Sequence, residues 1–159
     1  ERGLTLVELL AVIVILAIIA IIAFVFIGGV IENSRKDAHI ANAQQIISAA
    51  KLYEATTGID TVTAETLQKE DYLDQILDPW DKEPYSNLSN VTVTKTKERG
   101  DNTAYQISNF QPNDDKNCET ITATEKQLAK DGRKLCEKKD EPQNGEKGNP
   151  NDENDDQNP

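Results

Sequence analysis

The 159-residue chain carries 28 acids against 17 lysines and arginines, for a net charge of −11. That balance argues against a nucleic-acid-wrapping surface, which needs a broad basic face. Two cysteines and a single histidine are too few for a Cys/His zinc framework.

The N-terminal stretch dominates the chain. From Leu9 to Ile27 no side chain is charged or polar. About 19 residues rising about 1.5 Å each make a helix of roughly 28 Å, close to the hydrocarbon thickness of a bilayer. Glu8 stands about one turn inside this apolar segment. An acid at mid-helix costs about 2.5–3.5 kcal/mol to insert, and less near a helix end. Such an acid calls for a partner.

The octapeptide Gly3-Leu4-Thr5-Leu6-Val7-Glu8-Leu9-Leu10, together with the apolar helix behind it, resembles the processing site of type IV prepilins and pseudopilins. The resemblance implies that a prepilin peptidase cuts between Gly3 and Leu4 and methylates the new amine of Leu4. Residues 1–3 would be a leader remnant, and more of a basic leader is expected upstream of Glu1. Leu4 stands where the family usually has Phe, and positions 20–27 lack the family's frequent Pro. Gly28-Gly29 weaken the helix and are where any melted segment would fall. An ordinary signal peptide cleaved after Gly28-Gly29 is an alternative, as is a plain signal anchor. The first does not explain Gly-Leu-Thr-Leu-Val-Glu in front of the core, and the second does not explain the acid.

Beyond the span, Ile40, Ala43, Ile46, Ile47, Ala50 and Tyr53 recur at spacings of three and four. This predicts an amphipathic helix continuing the span into one rod of about fifty residues, stopped by Gly58. Residues 4–31 are read as transmembrane and filament-core helix, and 32–58 as its amphipathic half. His39 is expected on the exposed side. Residues 59–136 are read as a globular head. Thr63 is expected to cap a second helix with Leu67, Tyr72, Leu73, Ile76 and Leu77 on its apolar face, ending at Asp78-Pro79.

Asp78-Pro79-Trp80-Asp81-Lys82-Glu83-Pro84-Tyr85 resembles the Asp-Pro-Trp-Gly-x-Pro-Tyr loop of major pseudopilins and many Gram-positive pilins, with Asp81 where those often have Gly. Its prolines restrict φ, and Trp80 and Tyr85 are expected to cover the rod. Val91–Thr96 and Tyr105–Phe110 alternate and predict a hairpin turning at Gly100, with any third strand unplaced. Thr122-Ala-Thr-Glu125 reads as a capping box opening a short helix that Gly132 stops. With Arg2 and the leader cytoplasmic, everything after Ile31 lies outside, where a Cys118–Cys136 disulfide persists and closes this helix, contributing about 3 kcal/mol. Residues 137–159 contain no Ala, Val, Ile, Leu, Phe, Trp, Tyr or Cys and carry eight acids and three lysines, an acidic segment expected to be disordered.

No catalytic constellation and no cofactor motif is present in this reading. Asp114, Asp115, Asn117 and Glu119 are weak calcium candidates without the spacing of a calcium loop. The resemblance implies an α+β type IV pilin fold, a long helix packed against a small antiparallel sheet. It implies that the Leu4 amine pairs with Glu8, preferentially between subunits, and that the rods pack into a helical surface filament, with the chain membrane-held beforehand. Partners would be further copies of the chain, the prepilin peptidase and the assembly machinery, with nucleic acid only indirect. A pseudopilin of a secretion or competence system is the runner-up. A membrane-anchored binding protein that never assembles is the alternative of another class.

Overall fold

The computed structural model describes residues 3, 5–98, 100 and 102–137. The acidic C-terminal segment from 138 onward, Leu4, and two residues of the hairpin turn lie outside the described residues.

Helix α1, Leu6–Thr57, is one uninterrupted rod of 52 residues, about 78 Å long. It passes through Gly28-Gly29 without a break. Its two halves differ in what surrounds them. Every large apolar side chain from Leu6 to Ile31 is between 46% and 87% exposed. From His39 onward one stripe is buried: Ile40, Ala43, Ile46, Ile47, Ala49 and Ala50. The rod ends where Gly58 takes a left-handed φ of 75° and its N–H closes on the Glu54 carbonyl at 2.7 Å. A side chain at that φ would be strained, so glycine is the favoured stop.

Four antiparallel strands cover the stripe in the order β1 (Thr61–Thr63), β2 (Thr92–Glu98), β3 (Asn102–Phe110), β4 (Ile121–Thr124). Registers place Val62, Val93, Ile107 and Ala123 side by side across all four strands. All four are buried, so one cross-strand row forms the face that meets α1. The architecture is therefore α+β and pilin-like: a long N-terminal helix followed by a small antiparallel sheet.

The two edge strands supply what the sequence left unplaced. Each is short, and each ends in a threonine that caps a helix. Thr63 leads from β1 into α2, Ala64–Lys69, its hydroxyl accepting from the Thr66 N–H. Thr124 leads from β4 into α3, Glu125–Asp131, in a full capping box with Gln127. The box is therefore Thr124–Gln127 and not Thr122–Glu125, because Thr122 is committed to β4. A 3₁₀ turn, Gly132–Cys136, follows α3.

Helix α2 is also shorter than expected. It does not reach Asp78. Asp71 adopts a φ of 59°, and Tyr72 N–H donates to the Leu67 carbonyl at 2.9 Å while Asp71 N–H donates to Gln68 at 3.3 Å. This paired closure ends a helix by satisfying its last carbonyls. Leu73 and Ile76 are buried from irregular chain, whereas Leu77 is 47% exposed and bridges to Pro84. In β3 the register shifts between Ile107 and Phe110, with Asn109 at φ 61°. Strict alternation would turn Phe110 away from Ile107. The extra residue brings both side chains inward. Cys118 and Cys136 are bonded, tying the end of the 3₁₀ turn to the segment before β4.

Candidate assembly site

The N-terminal site begins with a cap. Thr5 stands at extended φ/ψ before α1, and its side-chain oxygen accepts the Glu8 N–H at 3.3 Å. In return the Glu8 carboxylate accepts the Thr5 N–H at 2.8 Å through Oε2. Two of the helix's orphan N–H groups are thus satisfied reciprocally, and the acid sits at the positive end of the helix dipole. Thr5-x-x-Glu8 is the sequence pattern of such a box, so this role of the acid was legible. The isolated acid of the apolar segment therefore has a partner within its own chain. Its other oxygen, Oε1, makes no hydrogen bond among the described residues. Leu4, the residue that would carry the mature amine, lies outside the described residues. Gly3 is exposed, and a side chain there would meet open space. Nothing in the described chain demands glycine at that position.

The second part of the site is the junction of rod and head, built by the Asp78–Tyr85 loop. Asp78 is buried, and its carboxylate accepts from Trp80 N–H at 2.9 Å and Asn113 N–H at 2.6 Å. Its own backbone pairs with the Glu83 carbonyl and the Lys82 N–H. Asn113 fastens the loop further, its amide donating to Asp81 at 2.9 Å and to the Pro84 carbonyl at 3.1 Å. The backbone N–H of Glu83 and the Asn113 amide hold the Asp81 carboxyl below its usual range. Held in this way, the loop presents Trp80 to α1, where the indole N–H is shared by both oxygens of Glu32 at 3.1 and 3.2 Å. Tyr85 is buried beside it, and desolvation, with Asp78 and Asp81 nearby, pushes its hydroxyl above the ordinary tyrosine range.

His39 overturns the expectation of a solvated residue. It is fully buried, stacked on Phe110 at 4.3 Å between ring centroids and edged by Trp80 at 5.6 Å. Asn42 donates to the Tyr85 hydroxyl at 3.1 Å, and that hydroxyl shares a hydrogen bond with His39 Nδ1 at 2.7 Å. The other ring nitrogen, Nε2, is buried without a hydrogen-bond partner among the described residues. Burial holds the imidazole at about 4. The signal was available: positions 39, 43, 46 and 50 share one helical face.

The weak calcium set does not converge. The Asp114 carboxylate accepts the Lys116 N–H at 3.1 Å in a local turn. Asn117 N–H donates to the Asp114 carbonyl. Asp115 and Glu119 flank a shallow hollow with Gln111 and Thr120. Among the described residues no group of three or more His, Cys, Asp or Glu side chains is placed to hold a metal ion.

Comparison with known families adds one finding. Residues 1–24 match the model of the prokaryotic N-terminal methylation motif. No curated protein and no solved structure gives a significant match to the chain.

Proposed function

We propose that this chain, which carries the prepilin-peptidase signal of type IV pilins and pseudopilins, is the structural subunit of a type IV pilus, its major pilin. The methylation motif implies dealings with the peptidase and the assembly machinery, and the apolar first half of α1 fits membrane anchoring before assembly. The observation that carries the filament reading is the exposure of α1. From Leu6 to Ile31 every large apolar side chain stays exposed to the surroundings of the rod. Such a surface is stable only in lipid or among similar helices. Leaving the membrane therefore requires other copies to replace the lipid.

Glu8 links the two states in this reading. In the membrane its carboxylate is engaged by the Thr5 N–H, which lowers the cost of holding an acid near the helix end. Cleavage after Gly3 creates a cation on Leu4, and the remaining oxygen of Glu8 receives the Leu4 amine of the next subunit. A buried pair of this kind contributes register more than net stability, because both charges lose hydration. The contact is head-to-tail and does not close on itself, so it propagates as a helix of subunits. The finished fibre lies on the outer surface, of a Gram-positive cell in our reading, and the subunit is structural rather than catalytic.

Glu8→Gln tests this directly. It retains a hydrogen-bond acceptor for Thr5 but removes the charge. The processed chain should stay in the membrane with few filaments formed. Filaments of unchanged number and length would refute the charge pair. The Asp78-Pro79-Trp80 loop favours a second reading, a pseudopilin of a secretion or competence system. Surface filaments composed mainly of this chain would decide for the pilin.

A further inference from the structure

An open hollow of about 340 Å³ lies where the Asp78–Tyr85 loop comes down on α1. Val30, Ile31, Ser34 and Arg35 wall it on the rod, and Pro79 and Lys82 on the loop. Val30, Ile31 and Pro79 make one side apolar. The charged residues of the lining are Arg35 and Lys82, both cations. Trp80 stands beside it, half-buried, its indole N–H held by Glu32.

The acids of this region are engaged elsewhere. Glu32 gives both oxygens to Trp80 and comes only within 4.0 Å of Arg35. Asp78 is buried on the Trp80 and Asn113 N–H groups, and Asp81 accepts from the Glu83 N–H and the Asn113 amide. Asp37 lies 3.5 Å from Arg133. Glu83 and Lys36 are charges nearby, and neither lines the hollow. Lys82 has no ion-pair partner among the described residues. It also takes a left-handed φ of 64°, a position that suits glycine or asparagine, so the turn itself does not call for lysine.

The span sets the height of the hollow. From Leu9 to Ile31 the apolar run is interrupted only by Gly28-Gly29. About 23 residues rise roughly 34 Å, slightly more than the hydrocarbon thickness, which a modest tilt absorbs. The hydrocarbon boundary then falls near Val30 and Ile31. Arg35 stands one turn above it, and side chains on a helix lean back toward the N-terminus, here toward the bilayer. Trp80 is at the level where indoles favour the membrane interface.

We infer that this hollow binds one phospholipid of the outer leaflet, its phosphate between Arg35 and Lys82 and its glycerol end against Val30, Ile31 and Pro79. This rests on the membrane-held state of the proposed function and not on the filament. An anionic headgroup is favoured, because a choline headgroup would bring a further cation to two already present. A lipid held there ties the lower rim of the head to the bilayer surface.

The test uses the full chain in vesicles of equal parts phosphatidylglycerol and phosphatidylcholine, with bromines high on the acyl chains of one lipid or the other. Bromine quenches tryptophan on contact, and Trp80 is the chain's single tryptophan. Brominated phosphatidylglycerol should quench about twofold more than brominated phosphatidylcholine, because basic side chains at the surface gather anionic lipid. Arg35→Gln/Lys82→Gln should remove the difference, and Lys126→Gln/Lys130→Gln, which neutralises two cations on α3, should keep it. In the wild type, about 1 M salt, where the Debye length is about 3 Å, should erase the preference without any substitution. Equal quenching by the two lipids, in a wild-type chain that floats with the vesicles, would overturn the site and leave the anchoring standing. So would a preference that survives salt or the Arg35/Lys82 change. A preference lost equally in the Lys126/Lys130 variant would also overturn it, since the attraction would then be diffuse. A chain that does not float with vesicles would overturn the anchoring, and the site with it.

Discussion

Replacing His39 by phenylalanine should remove a pH dependence built into the junction of rod and head. In the folded chain the imidazole is neutral and titrates at about 4, against about 6.5 in the unfolded chain. As pH falls below 6.5 the unfolded state takes up a proton that the folded state refuses, so stability falls with pH until about 4. The full difference of about 2.5 pKa units is worth about 3.4 kcal/mol, at about 1.36 kcal/mol per unit. Between pH 7 and pH 5 the loss is about 2 kcal/mol. That is a large share of the roughly 5–15 kcal/mol that holds small domains folded. Protonation also puts an N–H on both ring nitrogens, and the buried Nε2 has no hydrogen-bond partner to receive one among the described residues. The assay is urea unfolding of the detergent-solubilised chain at pH 7 and pH 5. It follows Trp80, the chain's single tryptophan, which touches His39. Carboxylates such as Glu54, held low chiefly by its hydrogen bond from Lys95, titrate alike in both proteins. The difference between wild type and His39→Phe therefore isolates the imidazole. A wild-type stability that is flat between pH 7 and 5, or a His39→Phe variant with the same slope, would refute the reasoning.

Three further predictions concern what holds the head. Asp78→Ala leaves the N–H groups of Trp80 and Asn113 without their acceptor. At about 1.5–3 kcal/mol for each hydrogen bond to a charged group, the loss should be about 3–6 kcal/mol by urea unfolding. Asn113→Ala keeps the backbone bond to Asp78 and should cost less. Replacing both Cys118 and Cys136 by serine should cost about 3 kcal/mol, read as a lower unfolding midpoint, with reduction of the wild type giving a similar loss. Gly58→Ala places a side chain at φ 75° and should cost about 1 kcal/mol, seen as a lower melting temperature.

The rod was legible because its signals are long. An apolar run as long as a bilayer, followed by a stripe at spacings of three and four and a glycine stop, leaves little else for residues 6–57 to be. The central hairpin was legible for the same reason, with alternation in two successive runs. The edge strands were not, because Thr61-Val62-Thr63 and Ile121–Thr124 are too short for alternation to stand out. The early end of α2 was hidden because Asp71, not glycine, takes the left-handed position.

In the candidate site, local spacing carries more than residue type does. Glu8 reads as an acid needing a partner, and the Thr5-x-x-Glu8 pattern supplies one in its own chain. His39 is expected on the exposed side of the rod, although its spacing from Ala43, Ile46 and Ala50 puts it on the buried face. Its burial depends on Phe110, which reaches it through an irregularity at Asn109 that no local pattern announces. The loop at Asp78 was recognisable as a turn, but its dependence on Asn113, 35 residues away, is a tertiary fact.

The central claim is that the rod is a membrane anchor converted by processing into a filament core. Intact-mass measurement with N-terminal sequencing of the surface-exposed subunit tests it most directly. The account predicts a chain beginning at Leu4, heavier than the unmodified sequence by one CH2 for a methyl replacing a hydrogen and two hydrogens lighter for the disulfide, recovered from filaments. A surface form beginning at Gly29 or later would contradict it, because the segment assigned to the fibre core would then be missing from the mature protein.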